Sequence, residues 1–213
     1  MLVGGSMVLS GSTLNPNGHA LTVSGSFLHS GGALTIAAGT LEVGGDYRLQ
    51  SWDGSAYGVS GGLLRMQDPA GRVVVGGDFA TDSASSHSRS LTAGTLELRG
   101  SFTQLANYAS QDPASRANFL ASGSHRVLLT GDAERDLFFT NPTVSGFAAL
   151  EIDTAAPVHH LPSLNCATLV ANGNPLTDGL VIGSRDFSLA EDLAVDGSMV
   201  LAGSTLSLNS KCR

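Results

Sequence analysis

The residues best suited to holding a ligand fall in two polar stretches. Residues 51–62 carry Trp52, Asp53 and Tyr57, and residues 81–90 carry Asp82, His87 and Arg89. Trp52 is the only tryptophan in the chain. Its ring and that of Tyr57 are suited to stacking on a sugar, with an amphipathic face and a polar edge. An acid and a base brought together from Asp53, Asp82, His87, Arg89 and Arg48 could cleave a glycosidic bond, which needs two groups placed on either side of it. No spacing among them specifies a reaction, so the expectation is a ligand-contact surface at Trp52, Asp53, Tyr57, His87 and Arg89, with solvated loop residues as the plainer reading and no catalytic residue assigned.

Other candidates are weaker. Asp46 and Asp78 share one slot of a repeated unit, with Asp132 in a similar one, and stacked acids can bind Ca²⁺ through six to eight oxygens. The slot is serine at Ser6, Ser26, Ser101 and Ser198, so a turn-forming role is expected and no metal or cofactor is assigned. His159 and His160 are adjacent, and neighbours in an extended segment point to opposite faces. Cys166 and Cys212 form neither a disulfide framework nor a metal spacing. No Gly-x-Ser-x-Gly stands at a strand-to-helix turn, so a hydrolase triad is unsupported.

The elements that would position these residues are repeats of one short unit. Leu21-Thr22-Val23-Ser24-Gly25-Ser26-Phe27, Leu41-Glu42-Val43-Gly44-Gly45-Asp46-Tyr47, Val73-Val74-Val75-Gly76-Gly77-Asp78-Phe79 and Leu96-Glu97-Leu98-Arg99-Gly100-Ser101-Phe102 share it. So do Val3 to Met7 and Leu193 to Met199. Alternation of apolar residues puts them on one face of a strand. The glycine that follows marks a bend. The unit's glycine recurs at intervals of 20, 20, 32 and 23 from Gly5 to Gly100, and a period near 20 suits one coil of a solenoid. Residues 51–62 and 81–90 read as loops that break the repeat. Residues 113–120 read as a short helix with Pro113 in its first turn. At long range, residues 3–17 and 195–209 agree at eleven of fifteen positions, an offset of 192, which implies that the chain starts inside one copy of a long repeat and ends inside the next.

Composition agrees with short strands and tight turns. There are 27 glycines, and charged residues are only 14%, against roughly 25% in an average domain. The net charge of −7 argues against nucleic acid, which needs a basic face, and against an anionic membrane surface. No run approaches the roughly 18 apolar residues that span a bilayer, and no signal peptide is visible. The fold expected is an all-β, right-handed parallel β-helix over residues 1–213 as a single segment. Its coils are regular to about residue 102 and irregular over 103–192, and the next repeat starts at 193. A β-sandwich is the alternative; it would leave residues 21–27 and 41–47 out of register. Open solenoid edges further predict end-to-end association.

The units Leu41 to Tyr47 and Gly94 to Phe102 resemble repeats in the β-solenoid arrays of large bacterial surface and secreted proteins, the haemagglutinin-like adhesins and autotransporter-type passengers. The resemblance covers residues 1–102 and 193–209. It implies an extracellular or cell-surface segment used for reach, adhesion or display, touching neighbouring repeats and a glycan or host-surface ligand. It supplies no catalytic residues. A carbohydrate-binding or carbohydrate-cleaving β-helix acting through loops 51–62 and 81–90 is the competing expectation.

Overall fold

The computed structural model describes residues 1–107, 117–161, 164–174, 176, 180–182, 187–189, 191–201 and 205–207. The described residues are all-β, with no helix. One sheet has ten strands: β1 (Leu2–Val3), β3 (Ala20–Val23), β5 (Thr40–Val43), β10 (Arg72–Val75), β12 (Thr95–Leu98), β14 (Arg126–Leu129), β16 (Phe147–Ile152), β18 (Cys166–Val170), β20 (Phe187–Leu189) and β22 (Leu206–Ser207). The second contains β2 (Met7–Leu14), β4 (Phe27–Ile36), β6 (Tyr47–Leu49), β9 (Leu63–Met66), β11 (Phe79–Thr81), β13 (Phe102–Gln104), β15 (Arg135–Phe139) and β17 (Val158–Leu161). Two pairs complete the set: β7 (Ser51–Trp52) with β8 (Tyr57–Gly58), and β19 (Leu180–Ile182) with β21 (Met199–Leu201).

Apart from the β7–β8 hairpin, every pairing between strands is parallel, and each strand lies against its counterpart one chain circuit later. Leu21 stands beside Leu41, Leu41 beside Val73, and Val73 beside Leu96. Phe27 stands beside Tyr47, Tyr47 beside Phe79, and Phe79 beside Phe102. Residues 21–27 and 41–47 are thus in register, the opposite of what the sandwich alternative requires. This arrangement of long parallel sheets is compatible with a β-helix or solenoid. A third row completes each circuit. β4 starts against β6 and ends against β9, and isolated bridges carry the row on from Met66 to Leu91 and from Leu91 to Ala121. β4 turns between its two halves at Gly32, where φ is +78° and an added Cβ would lie 2.0 Å from the Ser12 carbonyl oxygen.

The alternating residues Leu21, Val23, Leu41, Val43, Val73, Val75, Leu96 and Leu98 point inward and are buried. The register stacks an aromatic column beside them. Ring centroids lie 5.0 Å apart from Phe27 to Tyr47, 5.1 Å from Tyr47 to Phe79 and 5.6 Å from Phe79 to Phe102. Aromatic pairs of this kind contribute about 0.5–1.5 kcal/mol each beyond the area they bury.

The corner between the two sheets departs from expectation in its cause. Gly25, Gly45, Gly77 and Gly100 do not adopt positive φ. They are forced by the circuit beneath. A Cβ on Gly77 would meet Asp46 Oδ1 at 2.4 Å and the Gly45 carbonyl carbon at 2.9 Å; on Gly25 it would meet Ser6 Oγ at 2.6 Å. The Ser or Asp that crowds each glycine accepts the next corner's backbone N–H. Ser26 N–H donates to Ser6 Oγ (3.1 Å), Asp46 N–H to Ser26 Oγ (3.1 Å) and Asp78 N–H to Asp46 Oδ1 (3.0 Å). The column continues with Ser101 N–H to Asp78 Oδ1 (2.8 Å) and Asp136 N–H to Ser101 Oγ (3.0 Å). Asp136, not Asp132, therefore occupies the slot, because residues 130–134 bulge out before β15 begins.

Three further expectations are corrected or relocated. Residues 81–90 are not a solvated loop: Thr81, Asp82, Ser83 and His87 are buried, and Ser83 bridges to Ser60 as part of the circuit. Of the helix expected at 113–120, residues 113–116 lie outside the described residues and 117–120 form a turn leading to a bridge. The near-identical segments at 3–17 and 195–209 begin in different positions. Val3 pairs within the ten-stranded sheet, whereas Val195 bridges to Leu176, one face further round the circuit.

Candidate functional site

The chain leaves the second sheet after Leu49 and makes the only antiparallel excursion among the described residues. β7 and β8 pair Trp52 with Tyr57 across a four-residue loop, Asp53 to Ala56. Asp53 builds that loop. Its Oδ1 accepts the backbone N–H of Ser55 and of Ala56, both at 2.8 Å, and the Ser55 hydroxyl at 2.9 Å. These bonds favour the ionised form and hold its carboxyl below the usual carboxylate range. Gly54, with φ of +104°, supplies the turn that follows. Asp53 is therefore a turn-former whose carboxylate faces its own loop.

The hairpin holds two aromatic rings over the outer surface of the second sheet. Trp52 and Tyr57 are 47% and 48% exposed, and their centroids lie 4.7 Å apart. The Arg48 guanidinium stands 4.4 Å from the Tyr57 ring centroid, in cation–π range. Arg48 is itself fixed by Asp46 Oδ2 at 2.9 Å and Gln50 Oε1 at 3.4 Å. Together with Ser6, Met7, Val8, Ser26, Phe27 and Leu28, these side chains line a cleft of about 230 Å³. Its walls are an aromatic pair and aliphatic side chains, and its polar groups are two serines and one arginine. Such a surface can take an amphipathic ring against Trp52 and offer hydrogen bonds at its edge.

The other residues singled out in the sequence are elsewhere. His87 is fully buried and its Nε2 accepts the Leu64 N–H at 3.1 Å, so Nδ1 carries the proton; burial pushes its pKa down to about 3. Asp82 is buried and accepts both the backbone and the side-chain N–H of Asn107, at 3.0 and 2.7 Å. Arg89 is exposed at φ +64°, with its carbonyl bonded to Gln67 Nε2. Neither His87 nor Arg89 lines the cleft, so the two stretches do not combine into one site. His159 Nε2 lies 2.7 Å from Glu134. Cys166 is buried in β18, and Cys212 lies outside the described residues. Asp46 and Asp78 spend an oxygen each on the corner hydrogen bonds. Among the described residues no three His, Cys, Asp or Glu side chains gather to hold a metal ion. No described helix is long and apolar enough to cross a membrane.

Four groups with no sequence signal are buried polar side chains. His29 lies between Tyr47 and Gly32: its Nε2–H donates to the Gly32 carbonyl at 3.1 Å, and its Nδ1 accepts from the Tyr47 hydroxyl at 3.0 Å. Burial lowers its pKa to about 4 against the raising effect of the Gly32 bond. His125 is buried among apolar groups with neither ring nitrogen hydrogen-bonded, and burial lowers it to about 4 as well. Burial of Tyr47 raises its phenol well above the usual value. Arg135 is 1% exposed and plugs the bulge before β15, donating to the carbonyls of Leu98, Thr130, Gly131 and Ala133. Desolvation lowers its pKa, and Asp132 opposes that.

No family model, curated protein or solved structure matches this chain.

Proposed function

We propose that the chain is a right-handed parallel β-helix serving as a structural and adhesive segment of a bacterial extracellular or cell-surface protein, and that its specific contact is with a glycan held at the Trp52–Tyr57 cleft. The observation that carries this reading is the half-exposed aromatic pair, clamped by Arg48 and by the Asp53 turn over an apolar cleft on a rigid sheet. Loops displayed on a rigid scaffold are the usual seat of binding. A sugar's C–H face packs on Trp52, and its hydroxyls meet Ser6, Ser26 and Arg48. The cleaving alternative is less well supported, because Asp53 is spent on its own turn, Asp46 on Arg48 and Asp78, and His87 lies in the interior.

A glycan array followed by titration of the best binder tests the proposal. Trp52→Ala and Tyr57→Ala are expected to weaken binding at least tenfold with the melting temperature unchanged, and product analysis is expected to show no cleavage. A chain that binds no glycan, or a Trp52→Ala variant that binds as the parent does, would remove the glycan part of the reading.

A further inference from the structure

The polar edge of the Trp52–Tyr57 cleft is made of groups that have protons to give and little capacity left to accept them. Ser6 and Ser26 both line it. Each serine oxygen already accepts a backbone N–H of the next corner, from Ser26 and from Asp46, both at 3.1 Å. Among the described residues neither hydroxyl donates to an acceptor, so its proton is what each offers a ligand. Arg48 adds N–H donors and no acceptor. Asp46 Oδ2 takes one at 2.9 Å and Gln50 Oε1 another at 3.4 Å, and the others are unclaimed among the described residues. The Tyr57 hydroxyl can both donate and accept. The rest of the lining is apolar. Arg48 is also the only charged side chain among the described lining residues, and Asp46 answers its charge. A ligand carboxylate would have to share Arg48 with Asp46 and stand close to that carboxylate, in a chain whose net charge is already −7.

We propose, resting on the glycan reading above, that the sugar this cleft selects is an uncharged N-acetylated amino sugar, its acetamido carbonyl received by the Ser6 and Ser26 hydroxyls and Arg48. Three features of the lining name this class. A carbonyl oxygen accepts two hydrogen bonds and brings no proton of its own, which suits an edge of donors. An ordinary sugar hydroxyl in its place brings a proton with every oxygen, and a proton left without an acceptor in a closed cleft is unfavourable. The acetamido methyl matches the aliphatic and aromatic walls, Met7, Leu28 and Trp52 among them, where a hydroxyl or a carboxylate would lose water for nothing. The amide N–H, the one donor the group carries, is answered by the Tyr57 hydroxyl. Trp52 stacks on the ring face of any sugar, so it supplies affinity, whereas Ser6, Ser26 and Arg48 supply the choice among sugars.

Ligand-observed magnetic resonance titration of the 213-residue chain with matched methyl glycosides tests this. The probes are N-acetylglucosaminide and N-acetylgalactosaminide, the glucoside and galactoside that carry a hydroxyl in place of the acetamido group, and the corresponding glucuronide and galacturonide. At least one acetamido probe is expected to bind at least tenfold tighter than its hydroxyl counterpart and than the carboxylated one. Its affinity should change less than twofold between low and high salt, since no net charge is exchanged. Saturation transfer should be strongest at its acetamido methyl protons. Arg48→Met should shrink the preference for acetamido over hydroxyl at least threefold, while Trp52→Ala should weaken both probes alike and leave their ratio unchanged. If Arg48→Met folds poorly, the methyl saturation in the parent chain still decides. Hydroxyl or carboxylated probes that bind as tightly as the acetamido ones, or a methyl saturated no more than the ring protons, overturn this inference and leave the glycan reading standing. So does binding of some other glycan on the array when neither acetamido probe binds. A chain that binds no probe and no glycan on the array overturns both.

Discussion

Acid should unfold this protein well above the pH at which carboxylates titrate, and the cause is three histidines sealed in the interior. His29, His87 and His125 are each fully buried, with pKa values pushed down by burial to about 4, 3 and 4. In the unfolded chain a histidine titrates near 6.5. Below that pH the unfolded state binds protons that the folded state refuses, so stability is complete above about pH 6.5 and falls as the pH drops. At pH 5 each histidine forfeits about 2 kcal/mol, and the three together about 6 kcal/mol. That is comparable to the whole stability of many domains, about 5–15 kcal/mol. The assay is urea denaturation at pH 7.5 and pH 5.0, read by tryptophan fluorescence and circular dichroism. His125→Leu provides the internal control, since neither ring nitrogen makes a hydrogen bond. It should leave stability at pH 7.5 within about 1 kcal/mol and remove about a third of the pH dependence. A parent chain that loses less than about 2 kcal/mol between the two pH values would refute the assignment of three neutral buried imidazoles.

Two further outcomes follow from the packing. Gly77→Val sets a branched side chain against Asp46 and the Gly45 backbone. It should cost at least about 3 kcal/mol or abolish folding, measured by the same denaturation. Arg135→Leu strips the carbonyls of Leu98, Thr130, Gly131 and Ala133 of their shared donor; a loss of about 3 kcal/mol is expected, while Arg99→Leu on the exposed rim should change stability by less than about 0.5 kcal/mol.

The strands of the repeated units were legible because alternation is a local property. Leu41, Val43 and Tyr47 announce an inward face whatever lies above them. The corner was legible in position and not in cause. Gly77 reads as a bend, but its reason is Asp46, thirty-one residues earlier, which no local window contains. The same limit explains the stretch at 81–90. Asp82, Ser83 and His87 look like loop residues because their partners, Asn107, Gly62 and Leu64, belong to neighbouring circuits. The bulge before β15 displaced the expected acid from Asp132 to Asp136, since nothing in the spacing shows that Arg135 folds inward beneath it. Trp52 and Tyr57 stand out by residue type alone, and the structure puts their rings side by side in one cleft. Arg48 lies beside them, and His87 and Arg89 do not, because a residue's neighbours depend on which circuit it joins.

The hairpin that carries Trp52 and Tyr57 has one more consequence. It departs after Leu49 and the chain rejoins its ladder at Leu63, which pairs with Ala33 as though nothing intervened. The circuit absorbs the excursion without disturbing the register of its neighbours, and lengthening such a segment costs only about 0.6 kcal/mol per doubling. The fold therefore holds two kinds of segment. The stacked circuits constrain one another through their shared register, while the hairpin stands outside the parallel ladders, so its length and sequence can change without moving the strands on either side.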